Sequence, residues 1–328
     1  MKNQNLNTFS EELIVPDELK GLRLDQALAK LFPQYSRTKL QHWIKSGQVT
    51  VNHVVAHNRY KCEGGEHITI EAELEKVSSW EANPSQLAPL IVYEDADIIV
   101  INKPAGLVVH PGAGNSTQTL ANQLLDYFPS IQAVPRAGIV HRLDKNTSGL
   151  LIVAKTLIAQ TALVKMLVAR EIHREYWAIT TGVMISGGTI NASLDRHKVD
   201  RQKMSVSQTG GKEAITHYRV IERFRSHTLV KVILETGRTH QIRVHLAYKH
   251  YPILGDSLYG AKKIIPSMAS DELKEAIRAC QYQQLHAKRL AFLHPVTHEP
   301  LEFEIPLPTD MEKLLHLLRE NSKSGDDR

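Results

Sequence analysis

The spacing of apolar residues changes across a proline-containing segment, residues 78–89, and this change constrains the fold of the 328-residue chain more than any other feature. Before the segment, apolar residues at helical spacing are followed by short alternating runs. After it come longer apolar runs that are typical of buried strands. The segment itself has two prolines and no periodicity, as linkers do. The chain is also long enough for about two domains, so we predict a small N-terminal domain and a larger second one.

The N-terminal part has the pattern of two helices followed by strands. Residues 24–31 place apolar side chains at i, i+3, i+4 and i+7, which predicts an amphipathic helix. A second helix follows, with Ser36 placed to cap it and Gly47 placed to end it. Alternating apolar residues then predict two short strands, one of them at 68–70.

Charge is distributed unevenly along this part of the chain. Residues 20–61 contain eight Lys or Arg and one acidic residue, Asp25. Residues 62–97 contain nine Asp or Glu and one Lys. Since phosphate backbones attract clustered basic side chains, the first stretch favours a phosphate-bearing partner and the second does not.

The second domain mixes strands and helices without regular alternation. Such mixing favours an α+β fold with a mixed, mostly antiparallel sheet flanked by helices and loops. A helical stripe runs through residues 159–167, behind a buried strand. The predicted strands are 98–101, 107–109, 150–154, 176–181, 214–224 and 228–236.

These patterns give a complete domain plan. We expect a flexible segment at 1–17, a small domain at 18–76, a linker at 77–90, a larger domain at 91–318 and a disordered tail at 319–328. No apolar stretch approaches the ~20 residues that a membrane span requires, and the polar start lacks the apolar region of a signal peptide. We therefore expect a cytoplasmic protein without a membrane partner.

The polar segment HRLDKNTSGL, residues 141–150, runs directly into a predicted buried strand. Its one carboxylate, Asp144, lies between Arg142 and Lys145, whose charges favour the ionised form. An ionised aspartate can act as a nucleophile or a base. The competing interpretation is that Asp144 only stabilises a turn through its side chain.

A second polar cluster, GRTHQIRVH at 237–245, follows a long alternating strand. Thr239 is placed to cap a short helix that bears Arg243, which can pair with a carboxylate or phosphate or can simply be solvated. Tyr176 begins a predicted strand, where it either packs in the core or stacks on a base.

Other kinds of site find no support in the sequence. His240, His245 and His250 recur every five residues, which does not suit two metal ligands on one helix face. The sequence contains no phosphate-binding P-loop, no strand-GxGxxG-helix unit and no GxSxG motif. Cys62 and Cys280 lack CxxC spacing. We therefore expect neither a metal nor a cofactor.

Three motifs together resemble those of the RluA family of pseudouridine synthases. HRLDKNTSGL resembles the family's catalytic motif, REYWA at 174–178 its tyrosine motif and GRTHQIRVH its arginine motif, in the same order. The basic N-terminal part resembles an S4 RNA-binding domain, so the resemblance spans about residues 18–310.

The resemblance implies an isomerase that breaks the bond between uridine N1 and ribose C1′, turns the base and joins C5 to C1′ without a cofactor. It assigns catalytic roles to Asp144, Tyr176 and Arg243. Whether Asp144 attacks C1′, attacks C6 or removes the ribose 2′ hydrogen is left open. Arg142 would fill the space that the target base vacates, and His141 would support its loop. In the S4-like domain the implied RNA contacts are Arg23, Arg37, Lys39 and Lys45.

The resemblance also implies a partner. The stretches INKPAGLVVHPGAGN and PRAGIVHRLDKNTSG are most similar to family members that modify the helix 69 loop of 23S ribosomal RNA. We therefore expect a monomer that acts on ribosomal RNA or on a large-subunit precursor. The alternatives are a sibling enzyme for other 23S uridines and a non-catalytic RNA-binding assembly factor, although a pure binder has no need of all three catalytic residues. A hydrolase would need a nucleophile elbow or metal-ligand spacing, which the sequence lacks.

Overall fold

The computed structural model describes residues 8–32, 35, 37–57, 59–73, 86–111, 117–260 and 262–323. The chain divides into two compact units, Met1–Glu81 and Ala82–Arg328. The predicted helix cap Ser36 and most of the predicted linker lie outside the described residues. None of the described helices is long and apolar enough to cross a membrane.

The N-terminal unit is a four-stranded antiparallel sheet with two helices. The strands lie in the order β1-β4-β2-β3. Both predicted helices and both predicted strands are present, because their apolar faces meet in one core around Trp43. The elements are β1 (Thr8–Ile14), α1 (Leu24–Leu31), α2 (Arg37–Lys45), β2 (Val49–Val51), β3 (Val54–Val55) and β4 (His67–Glu73).

The prediction of a flexible segment over residues 1–17 is wrong for its second half. Strand β1 pairs with β4 from Thr8 to Ile14. The ring of Phe9 stacks on that of Trp43, with 5.6 Å between ring centroids. The polar residues on either side of Phe9 conceal this tertiary contact in the sequence, and burial of the aromatic pair holds the strand in place.

The larger unit is built on a nine-stranded mixed sheet, which confirms the predicted α+β class. Its strands follow the order β5-β6-β7-β14-β8-β13-β12-β9, and β15 pairs with β14. All pairs are antiparallel except β7 with β14. The strands are β5 (Ile91–Glu94), β6 (Ile98–Lys103), β7 (Ser148–Ala154), β8 (His173–Thr181), β9 (Gly188–Asn191), β12 (Ile215–Arg223), β13 (His227–Leu234), β14 (Leu285–Leu293) and β15 (Pro300–Glu304), while β10 (Leu194–Arg196) and β11 (Met204–Val206) form a separate hairpin.

Helices pack on this sheet in two apolar clusters. The stripe predicted at 159–167 forms α4, whose buried residues pack with β6 and β7 in one apolar cluster. A second cluster joins the last two helices to Ile179 of β8. The helices are α3 (Leu120–Tyr127), α4 (Leu157–Ala169), α5 (Gln241–Tyr248), α6 (Asp271–Ala279) and α7 (Thr309–Lys323).

The strand predicted at 107–109 is absent, and its backbone has another use. The carbonyl groups of Val108 and Val109 accept hydrogen bonds from the first two amides of α3, at 2.8 and 3.1 Å. These amides have no partner within the helix, so an apolar segment that resembles a strand serves instead to cap a helix.

The predicted boundaries also change at the end of the linker and at the C-terminus. Leu87 is fully buried, and residues Ala88–Leu90 form a 3-10 turn, so the linker does not extend to residue 90. Helix α7 continues through Lys323 and so includes the first five residues of the predicted tail. Asn321 holds this last turn, because its side-chain amide donates to the carbonyls of Ser267 and Met268.

Candidate active site

Asp144 lies in the loop that leads into β7, and a buried lysine fixes that loop. All seven residues of β7 are buried, which anchors the end of the loop. Lys103, at the end of β6, donates to the carbonyls of Pro104, Leu107 and Lys145 at 2.8 to 3.1 Å. Burial lowers the pKa of Lys103 to about 7. These three carbonyl groups satisfy the donors of its ammonium group. Lys103 therefore connects the Asp144 loop, through Lys145, to the segment that follows β6.

His141 attaches the start of the same loop to the sheet. Its Nε2 accepts a hydrogen bond from the amide of Ile152 in β7, at 3.1 Å. Burial, with a smaller effect from Arg174, lowers the pKa of His141 to about 3. The ring is therefore neutral at physiological pH, with its proton on Nδ1. This contact fits the supporting role expected for His141.

Arg243 joins two carboxylates that are distant in sequence. Its Nη1 donates to Asp144 Oδ2 at 2.8 Å, while Nε and Nη2 donate to the two oxygens of Asp256 at 2.7 and 2.9 Å. Burial alone would lower the pKa of Arg243, but hydrogen bonds to Asp256 and the charges of both carboxylates raise it above its ordinary value. A guanidinium bound on two edges is held rigidly, and it holds Asp144 in turn.

Asp256 is a site residue that sequence reasoning missed. Its side chain is fully buried and also accepts from the amides of Leu258 and Tyr259. Burial would raise the pKa of Asp256, but the hydrogen bonds and charge of Arg243 lower it below the ordinary value. The available signal was weak: Asp256 is the only acidic residue between Glu235 and Asp271, in a stretch that contains several basic ones.

The helix that bears Arg243 begins differently from the prediction. Thr239 does not cap it; the cap position belongs to His240, whose backbone is left-handed with φ 58°. This conformation turns the ring toward Asp144, with 3.8 Å between His240 Nε2 and Asp144 Oδ1. Such a backbone is uncommon outside glycine and is often found at functional sites.

Tyr259 orients the His240 ring. The hydroxyl of Tyr259 accepts from the amide of Met204 at 2.7 Å, and it lies 2.7 Å from His240 Nδ1. Burial lowers the pKa of His240, so its ring is neutral at pH 7. The tyrosine proton then goes to Nδ1, and the histidine proton on Nε2 faces Asp144.

The second oxygen of Asp144 is available to a substrate. Within the part of the chain that the structure describes, Oδ2 is bound by Arg243, and Oδ1 has no hydrogen bond. The side chain is 15% exposed and lines an open cleft of about 590 Å³. Tyr176 lines the same cleft from β8, and its phenol stays protonated because burial raises its pKa. The structure thus brings together the three residues that the motifs assign to catalysis.

The cleft is strongly basic. Two carboxylates, Asp144 and Glu235, line it, and Arg142 is exposed at its surface. The guanidinium of Arg142 has no hydrogen bond or ion pair with any described residue. A cleft of this charge attracts polyanions. Its arginines are Arg136, Arg142, Arg170, Arg174, Arg238 and Arg243.

The three regularly spaced histidines do not form a site. His245 is fully buried, with Thr216 Oγ1 and the carbonyl of Ala192 as its partners, whereas His240 faces Asp144. Across the described ranges, no three His, Cys, Asp or Glu side chains are grouped so as to hold a metal ion.

The basic residues of the N-terminal unit differ in their surroundings. Arg23 and Arg37 both donate to the buried carboxylate of Asp25, at 3.0 Å and at 2.6 to 2.8 Å. About half of each arginine side chain remains exposed. Lys45 is exposed at the end of α2, and the side chain of Lys39 lies outside the described residues. The two arginines therefore stabilise the unit as well as facing solvent.

Comparison with known proteins agrees with this arrangement. The family model described as RNA pseudouridylate synthase matches residues 97–248, and the S4 domain model matches residues 22–68. The chain belongs to the RNA pseudouridylate synthase family and is an RNA pseudouridine synthase with an S4 domain.

Comparison with individual proteins is more specific than the assignment to a family. Proteins named ribosomal large subunit pseudouridine synthase D are similar over nearly the whole chain. That of Vibrio cholerae is 53% identical over 94% of this chain and 95% of its own length, and that of Xanthomonas campestris is 49% identical over 98% and 96%. Among solved structures, human RNA pseudouridylate synthase domain containing 4 is 27% identical with a TM-score of 0.55, over 71% of this chain and 94% of that one.

Proposed function

We propose that this enzyme converts uridines of 23S ribosomal RNA to pseudouridine, with the helix 69 loop as its target and Asp144 as its catalytic residue. It acts without a cofactor, as a monomer, in the cytoplasm where ribosomes assemble. One observation carries the proposal: Asp144 presents a free carboxylate oxygen to a basic cleft while Arg243 and Asp256 fix its other oxygen. The names of the relatives and the resemblance of residues 101–115 and 135–149 support the choice of RNA.

The geometry suits the cleavage of a glycosidic bond. Positive character develops at C1′ as the bond to N1 breaks, and an ionised carboxylate stabilises it or attacks there. Arg243 holds Asp144 in position through Oδ2, while the other oxygen, Oδ1, lies 3.8 Å from His240 Nε2 and has no hydrogen bond to any described residue. Tyr176 is placed to stack on the turned base, and its protonated hydroxyl can assist proton transfer at C5.

The proposed RNA target is tested by mapping pseudouridines in ribosomal RNA. Ribosomal RNA from cells lacking this protein would be labelled with a pseudouridine-specific reagent and read by primer extension. We expect loss confined to the helix 69 loop, with every other pseudouridine of 23S and 16S RNA retained. Loss at other 23S sites would identify the protein as a sibling enzyme, and no loss at all would favour the non-catalytic assembly factor.

Arg142→Ala should slow reaction of a folded stem-loop by about 5- to 150-fold. The exposed guanidinium lies two residues from Asp144 and can occupy the stack that the target base leaves, so its removal leaves unstacking uncompensated by about 1 to 3 kcal/mol. A short single strand of the same sequence should lose much less, because its uridine is already accessible. Single-turnover rates on the two RNAs measure the difference. An equal fold-loss on both would reject gap filling and assign Arg142 to binding.

Lys45→Ala should weaken RNA binding without changing stability. One lost phosphate contact reduces the slope of log K against log salt by about 0.7 to 0.9. Arg37→Ala provides the contrast, because it also exposes the buried carboxylate of Asp25 and should lower the free energy of unfolding by about 1 to 2 kcal/mol. Filter binding at several salt concentrations and thermal melts distinguish these effects. An unchanged salt slope for Lys45→Ala would remove it from the RNA surface.

A further inference from the structure

Arg174 is a buried arginine in the cleft that the catalytic roles above do not use. It lies on β8 two residues before Tyr176, so both side chains project from the same face of the sheet. The residue is 8% exposed, and both residues line the cleft that contains Asp144. Its charge contributes to lowering the pKa of His141 and partly offsets the effect of burial on the pKa of Tyr176.

No described carboxylate neutralises this arginine. Arg174 Nε is fully buried without a hydrogen-bond partner, and the guanidinium makes no ion pair within the described ranges. The two carboxylates of the cleft pair with other residues, Asp144 with Arg243 through Oδ2 and Glu235 with Arg170 and His217. The adjacent Glu175 points away from the cleft and pairs with Lys231.

The backbone opposite Arg174 is shaped to admit its guanidinium. Gly237 lies at the cleft wall, and a Cβ placed on it would lie 2.8 Å from Arg174 Nη1. Any larger residue would displace the charged group. The cleft therefore accommodates an arginine head closely while providing no anion for it.

A buried charge without a partner is costly, and in native structures it usually has a ligand or a counter-ion. We propose that Arg174 binds a backbone phosphate of the RNA within one nucleotide of the target uridine. RNA presents a phosphate at each nucleotide, and a guanidinium matches its oxygens with paired hydrogen bonds. The proposal rests on the proposed function and adds a specific anchor for the RNA strand beside Tyr176 and Asp144.

The first test compares Arg174→Met with Arg319→Met in the full-length protein. Methionine keeps much of the side-chain volume without the charge, and Arg319 is a surface arginine on α7 that pairs with Glu222. Binding of a target stem-loop would be measured over a range of salt concentrations. Arg174→Met should bind about 10- to 100-fold more weakly, with a salt slope smaller by about 0.7, whereas Arg319→Met should match the wild type.

The melting temperature of Arg174→Met provides a second readout. If Arg174 served only to stabilise the fold, its replacement would lower the melting temperature. Because Arg174 is uncompensated without RNA, Arg174→Met should melt at the same temperature as the wild type or higher. A strongly lowered melting temperature would show that Arg174 stabilises the fold and would overturn the proposal. Arg174→Lys should retain the wild-type salt slope but bind RNA less tightly, because lysine keeps the charge and loses the paired donors of the guanidinium.

Neutral phosphate analogues locate the contact. Stem-loops would carry a single methylphosphonate at the linkage 5′ or 3′ of the target uridine. One of them should weaken wild-type binding about as much as Arg174→Met does, with no further loss when the two changes are combined. Additive losses at both linkages would contradict the phosphate contact. Wild-type protein that fails to isomerise the unmodified stem-loop would instead reject the proposed function, so the two failures are distinguishable.

Discussion

Asp144→Asn should abolish isomerisation, with a loss of about 10³-fold or more, while the protein folds and binds RNA as before. Asparagine has the shape of aspartate, and its carbonyl oxygen can still accept from Arg243 Nη1. Only the negative charge is lost, and with it the group that attacks or stabilises the reacting ribose or base. Release of tritium from C5-labelled uridine RNA, measured under single-turnover conditions, reports the chemical step directly.

A matched surface variant and a binding measurement make this result specific. Asp271→Asn removes an exposed aspartate of α6 that pairs with Lys274, and it should retain wild-type turnover. Asp144→Asn should keep an RNA affinity and melting temperature close to those of the wild type. Turnover of Asp144→Asn within tenfold of wild type would exclude a catalytic role for this carboxylate.

Arg243→Lys should reduce turnover by about 10²- to 10³-fold although the positive charge is retained. A lysine ammonium cannot bind Asp144 and both oxygens of Asp256 together, so Asp144 loses its fixed position and the buried Oδ2 of Asp256 loses its donor. The loss should be in kcat, with little change in KM, because the RNA surface is unaffected. The measurement is tritium release over a range of RNA concentrations.

Asp256→Asn provides the graded comparison. Asparagine preserves the shape of the carboxylate that binds Arg243 but not its charge. We therefore expect turnover to fall by about 10- to 100-fold, which is between wild type and Arg243→Lys. Asp256 touches Arg243 and not the cleft, which makes it a positioning residue for Asp144. Equal activity of Arg243→Lys and wild type would show that the three-residue chain does not support the reaction.

The residues proposed to carry the chemistry could be predicted from the sequence, whereas the contacts that position them could not. Asp144 stands beside a buried strand within a motif, and Tyr176 and Arg243 lie in two further motifs. Asp256 does not lie in a motif of comparable length. Its contact with Arg243 depends on a turn that brings the chain back to α5. Lys103 acts on a carbonyl 42 residues away, a contact that local sequence cannot show.

The same distinction explains the errors in the predicted fold. Strands with continuous apolar runs, such as β6 and β7, were predicted because burial on both faces leaves a local pattern. Strand β1 and the last turn of α7 were missed because contacts with residues distant in sequence hold them, such as those of Phe9 with Trp43 and of Asn321 with two carbonyls. Arg174 follows the same rule: its neighbour Glu175 suggests a partner, and only the tertiary structure shows that Glu175 pairs elsewhere.

The most direct measurement is the pseudouridine map of 23S RNA from cells that lack this protein and carry either the wild-type or the Asp144→Asn gene. Both proteins should accumulate to the same level. We expect the wild-type gene to restore pseudouridine in the helix 69 loop and the Asp144→Asn gene to leave those uridines unmodified. Restoration by Asp144→Asn would contradict the assignment of the catalytic residue, and failure of the wild-type gene to restore them would contradict the proposed function.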